Sequence, residues 1–181
     1  APYLRNNPMY APTAFESIAD NLVIAKDNFG GVYVPLYGIN TIGYLEPTYG
    51  YYLNVNTESN LVYPSNSAQK GSVIESITPN PKHLVPPVGR TGNSATLILQ
   101  IDAPNGYEVG VYNSDNVLIG SGYVQNNVVA VCLWGDNSIT DITDGALENE
   151  ELIVKIFNPK SNTLSSLTLN SINEVTSGTN S

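Results

Sequence analysis

Residues Gly106–Gly135 read GYEVGVYNSDNVLIGSGYVQNNVVAVCLWG, and this stretch decides the fold class. GYEVGVYN and VLIGSGYV are short runs rich in Val, Ile and Tyr. They flank SDN, a turn-forming triplet, and so read as a β-hairpin. VVAVCLWG is apolar throughout, which predicts a strand near the middle of a sheet and covered on both faces. Working outward, SATLILQID (94–102) alternates, with Ala95, Leu97, Leu99 and Ile101 on one face. ELIVKIFN (151–158) and TLSSLTLNSI (163–172) add two more strands. Strands of this size, separated by turns at near-regular spacing, predict a β-sandwich of Ig-like type over residues 93–181, ending in a polar tail.

The first part of the chain reads differently. APTAFESIAD (11–20) predicts the one helix, with Thr13 and Glu16 as a capping box and Ala14, Phe15, Ile18 and Ala19 as its apolar face. Short strands follow: LVIAK (22–26), VYVPLY (32–37), GYYLNV (50–55) and NLVYP (60–64). DNFGG is a turn whose glycines supply positive φ, and Pro35 points to an edge strand or a bulge. Residues 1–66 are thus a small α+β module. Residues 67–92 are a connector whose TPNPKHLVPPVGR portion is extended and stiff. The whole chain is expected to be mainly β.

Composition limits the function classes. Charged residues are only 13% of the 181, about half the usual share, and the net charge is −9. Uncharged polar residues and tyrosine take their place, as in secreted β-proteins, so an extracellular or cell-surface location is expected. No basic cluster suits nucleic acid, and no apolar run is long enough to insert in a membrane as a helix. The chain opens APYLRNNPMYAP, which reads as a mature or trimmed start. That start and the small, polar tail after Asn173 are expected to be held by another copy of the chain or by a sheet edge.

A resemblance adds to this reading. NLVIAKD (21–27), the Gly30–Gly31 turn, Val32–Gly43 and the Gly50–Tyr51 pair resemble a module that recurs in large secreted bacterial surface proteins. Many of those proteins end in a type IX secretion sorting domain. YEVGVYNSDNVLIGSGYV and VVAVCLWGDNSITDITDG resemble a β-domain found downstream of that module. In similar proteins a strand resembling GWNLI precedes the position of Tyr3–Leu4. Its absence here implies an open sheet edge that another subunit fills by strand addition. The resemblance carries no activity with it.

The residues offer little chemistry. Cys132 lies in an apolar run and reads as a small buried hydrophobe, and His83 lies in the connector. No Cys/His set suits zinc, no phosphate loop opens a helix, and the serines lack a base, so the chain is not expected to be an enzyme. Lys26 and Lys155 are the candidate donors for a Lys–Asn cross-link. The densest acidic run is GDNSITDITDGALENEE (135–151), in which Asp136, Asp141 and Asp144 are candidate calcium ligands beside the simpler reading of a solvated loop.

Twelve tyrosines against three phenylalanines complete the picture. Tyrosine suits a surface that is dry in one state and wet in another. Tyr44, Tyr49, Tyr51 and Tyr52 are therefore expected to form a contact surface. The favoured reading is a self-assembling structural subunit of an extracellular filament or layer, a homopolymer joined through termini and sheet edges. The alternative is an adhesion or carbohydrate-binding module whose tyrosines stack on a polysaccharide.

Overall fold

The structure, a computed structural model, describes residues 1–65, 81–86, 91, 93–136, 141–143 and 145–168. It is mainly β, with antiparallel sheets, and divides into two compact units, Ala1–Thr78 and Pro79–Ser181. Residues 81–86 thus belong to the second unit, although the sequence places them in the connector.

In the first unit, β1 (Met9–Tyr10) runs into α1 (Ala11–Ala14) and a 3-10 turn, Glu16–Ile18. The expected capping box does not form, because the helix starts two residues before Thr13 and no side chain caps it. Pro12 sits in the first turn, where its missing N–H costs nothing. β2 (Leu22–Lys26), β3 (Val32–Val34), β4 (Ile39–Asn40) and β6 (Tyr52–Val55) form a sheet of order β4-β3-β2-β6. β5 (Tyr44–Leu45) pairs with β1. Pro35 lies not inside a strand but at the start of a 3-10 turn, Pro35–Tyr37, that ends β3. NLVYP is no strand either: Val62 N–H donates to Ser17 Oγ (2.9 Å), and Tyr63 packs edge-on against Tyr3.

Tyr3, Met9, Phe15, Leu22, Tyr33, Leu45 and Tyr51 fill the core of this unit. Phe15 is its centre, stacked on Tyr33 (6.1 Å, 11°) and edge-on to Tyr51 (6.5 Å, 74°). The first residues are held by this same chain. Tyr3 N–H donates to Tyr49 O (2.9 Å), Thr48 N–H to Tyr3 O (3.0 Å) and Tyr51 N–H to Ala1 O (2.9 Å). The segment 1–3 therefore lies antiparallel to 48–51.

In the second unit, β7 (Ser94–Gln100) pairs with β10 (Val128–Trp134) along seven residues. β8 (Glu108–Tyr112), β9 (Leu118–Tyr123), β11 (Ile153–Asn158) and β12 (Thr163–Ser166) form a second sheet of order β12-β11-β8-β9. One core joins the sheets: Leu99, Val129, Val131 and Leu133 from the first meet Val109, Val111, Ile119 and Val154 from the second. The most apolar strand is less enclosed than its sequence predicts. Val129, Val131 and Leu133 are buried, while Ala130, Cys132 and Trp134 on the other face are half-buried. β7 likewise buries residues of both faces, Thr96 and Ile98 as well as Leu99.

Two glycines let β9 approach β10. A Cβ at Gly122 would stand 2.5 Å from Ala130 O, and one at Gly120 would strike Cys132 O. Lys155 Nζ donates to Asn116 Oδ1 (2.6 Å) and sits 4.3 Å above the Tyr112 ring. The lysine is half-buried and its partner exposed. The contact between them is a side-chain hydrogen bond at the surface.

Candidate functional site

Two turns of the first unit build a cleft of about 300 Å³. The first is the Asp27–Gly31 turn. Asp27 N–H donates to Gly31 O (3.0 Å), and Asp27 Oδ1 accepts from Phe29 N–H and Gly31 N–H (2.7 Å each). The carboxylate folds back over its own turn, as short acidic side chains do. Gly31 permits this, because a Cβ there would lie 2.6 Å from Asp27 Oδ2. The effect is to lift Phe29 to the tip of the turn, where it is 43% exposed.

The second is the Glu46–Tyr49 turn, closed by Tyr49 N–H on Glu46 O (3.2 Å). Pro47 and Thr48 are its central residues, and Thr48 has φ +73°. A type II turn wants glycine at that position, and a β-branched residue in the left-handed region is an outlier. Strain of this kind persists where the surroundings enforce it, and it gathers at functional sites. Here the enforcing bond is that of Thr48 N–H to Tyr3 O.

The turns bring aromatic rings together. Phe29 and Tyr49 meet at the mouth, with centroids 5.4 Å apart and planes at 44°. Tyr44 forms a wall, tilted against Tyr10 (5.5 Å, 53°), and Tyr51 lies buried at the base. Asp27 and Glu46 supply two carboxylates, and none of the eight lining residues is basic. Tyr51 feels this setting. Burial, together with the charges of Asp27 and Glu46, pushes its phenol up to about 12, against the opposing effect of Glu46 N–H donating to its oxygen (2.8 Å).

Of the tyrosines expected to form a contact surface, Tyr44, Tyr49 and Tyr51 converge on the cleft. Tyr52 does not line it. Successive strand residues face opposite ways, so Tyr52 turns away from Tyr51 and is 49% exposed. Asp27, Phe29 and Glu46 escaped the sequence reading, which took DNFGG only as a turn. The one available signal was a large apolar ring at a turn tip.

The acidic run behaves otherwise. Asp141 is exposed and Asp136 half-buried, while Asp144 lies outside the described residues. No group of three or more His, Cys, Asp or Glu side chains gathers among the described residues. Glu150, in the same run, is a fastener: it accepts from Leu147 N–H (2.9 Å), Ser114 N–H (2.9 Å) and Ser114 Oγ–H (2.6 Å). These bonds hold its carboxyl below the usual range.

Glu108 is a second carboxylate with a structural task that the sequence did not reveal. It is buried, and it receives the backbone of residues 82–84. Lys82 N–H (3.0 Å), His83 N–H (3.0 Å) and Leu84 N–H (2.8 Å) all donate to it, as does His83 Nδ1 (2.8 Å). The His83 ring also lies 4.5 Å from that of Phe157. Burial alone would raise the Glu108 pKa, but the His83 bond and the three backbone bonds outweigh it and hold it low. No family model, no curated protein and no solved structure matches this chain.

Proposed function

We propose that this chain is a non-catalytic module of a secreted bacterial surface protein, and that it works by recognition, as an adhesion module. The supporting observation is the cleft. Exposed rings at 42–43% accessibility sit over the buried Tyr51, beside two carboxylates, on turns shaped by Asp27 and by the strained Thr48. Concavities lined by aromatic side chains with a few placed polar groups are what small-ligand sites look like. The test is retention of the purified chain on bacterial envelope polymers. Phe29→Ala and Tyr49→Ala should weaken retention while the melting temperature holds. Retention that neither change weakens refutes the reading.

The self-assembling filament or layer subunit is the second reading, and one observation favours it. β12 (Thr163–Ser166) is exposed along its length, carries no charge or proline, and among the described residues pairs on one side only. Edges of that kind take up further strands unless charge blocks them. The start of the chain lends less support, since its hydrogen bonds are made to residues 48–51 of the same chain. Sedimentation at rising concentration is the test. Assembly through this edge gives large species that Ser165→Lys disperses.

A further inference from the structure

The lining of the cleft narrows what can bind there, and we infer that its ligand is an organic cation: an ammonium group carrying apolar substituents, as in choline or an N-methylated amine. This deepens the recognition reading and rests on it. Complementarity between lining and ligand points to this class. A neutral saccharide presents hydroxyls that need both donors and acceptors around them. The side chains lining the cleft are Asp27, Phe29, Ile42, Tyr44, Glu46, Tyr49 and Tyr51, with Gly43 contributing backbone alone. The carboxylates are acceptors only, Phe29 and Ile42 are apolar, and no amide, indole or basic side chain is present. The sole side-chain donors are tyrosine hydroxyls.

A cation asks for the opposite set. An alkylated ammonium is stabilised by the negative faces of aromatic rings and by carboxylates, and its alkyl groups bury apolar area. Phe29 and Tyr49, tilted at 44° and 5.4 Å apart, present two ring faces at the mouth. Tyr44 and Tyr51 give further ring surface within. Asp27 and Glu46 line the cleft together with Tyr51, and no basic residue offsets them there, so its lining carries negative charge. The chain's net charge of −9 draws cations toward it from solution. A cleft of about 300 Å³ takes a trimethylammonium group with its attached chain.

The experiment is a titration of the full chain at low salt with choline, followed by amide chemical shifts. The control is 3,3-dimethyl-1-butanol, which has the shape of choline without the charge, and a neutral hexose is the third ligand. Saturable shifts at Phe29, Gly31, Gly43 and Tyr49 with choline, much weaker with the alcohol, are expected. Phe29→Ala or Tyr49→Ala should each weaken choline binding about two- to fivefold, the loss of one exposed cation–ring contact. Glu46→Gln should weaken choline and leave the alcohol unaffected. Equal response to choline and to the alcohol would overturn the inference, as would no response to choline. Saturation by the hexose with none by choline would overturn the cation and leave the recognition reading standing. No response to any ligand, with unaltered retention of the Phe29→Ala and Tyr49→Ala chains on envelope polymers, would remove both.

Discussion

Glu108→Gln isolates the attachment of residues 82–84 to the second unit. The native carboxylate accepts three backbone N–H bonds and one from His83 Nδ1, at 2.8–3.0 Å. Hydrogen bonds to a charged group contribute about 1.5–3 kcal/mol each, but burying the carboxylate costs several kcal/mol, so the net is far below the sum. Leaving a buried donor without its partner costs about 1–3 kcal/mol. Glutamine keeps the shape and one acceptor, yet aims an NH2 at backbone donors, so a loss of about 2–4 kcal/mol is expected. Leu84, buried beside Gly110, is released with the backbone and adds to the loss. The assay is urea unfolding read by Trp134, the chain's only tryptophan, which lies on β10 of the same unit. The pH dependence gives a second handle. The native pKa of Glu108 is lowered relative to the unfolded chain, so its contribution is complete above the ordinary carboxylate pKa. It is lost as the pH falls through the lowered native value. Wild type should therefore shed stability on acidification by more than Glu108→Gln does. A glutamine variant within about 0.5 kcal/mol of wild type at neutral pH, with an unchanged acid limb, would refute the reasoning.

Other changes test the remaining geometry. Gly122→Ala puts a methyl 2.5 Å from Ala130 O, a backbone atom that cannot swing aside, and should cost about 1–3 kcal/mol in the same urea assay. Thr48→Gly relieves a β-branched residue at φ +73° and should stabilise the first unit by about 0.5–1 kcal/mol, seen as a higher thermal midpoint by tyrosine circular dichroism. Phe29→Ala and Tyr49→Ala remove exposed rings and should shift stability by no more than about 0.5 kcal/mol. Phe15→Ala, in contact with Tyr33 and Tyr51 at the core, should cost about 3–5 kcal/mol in the same measurement.

The contrast between Phe15 and Phe29 shows what could be read from sequence. Phe15 sits in an apolar pattern and ends in the core, as the period implies. The strands around Val109, Ile119, Val131 and Val154 were legible for the same reason, since β-rich runs between turn signals follow from local chemistry. Glu108 was not. A lone acid in a strand reads as a solvent-facing residue, and the backbone it holds lies some 25 positions earlier in the chain. Periodicity gives the faces of a strand but not what a distant segment will lay over them. The capping box failed by a different route, because β1 runs into α1 at Ala11 and starts the helix ahead of its sequence signal.

The cleft was half legible, and the missing half is instructive. Tyrosine content drew attention to Tyr44, Tyr49 and Tyr51, but nothing in their spacing showed that they meet Phe29 from another turn. Phe29 is a large apolar ring at the tip of a turn, and Thr48 is a β-branched residue where a turn wants glycine. Each breaks a local rule, and each costs the fold something. Sequences are locally consistent where only folding is at stake, and exceptions gather where another demand is met. These two exceptions belong to facing turns whose rings touch across one opening, at Phe29 and Tyr49. The meeting of these rings over one cleft is why recognition is proposed over simple scaffolding for this part of the molecule.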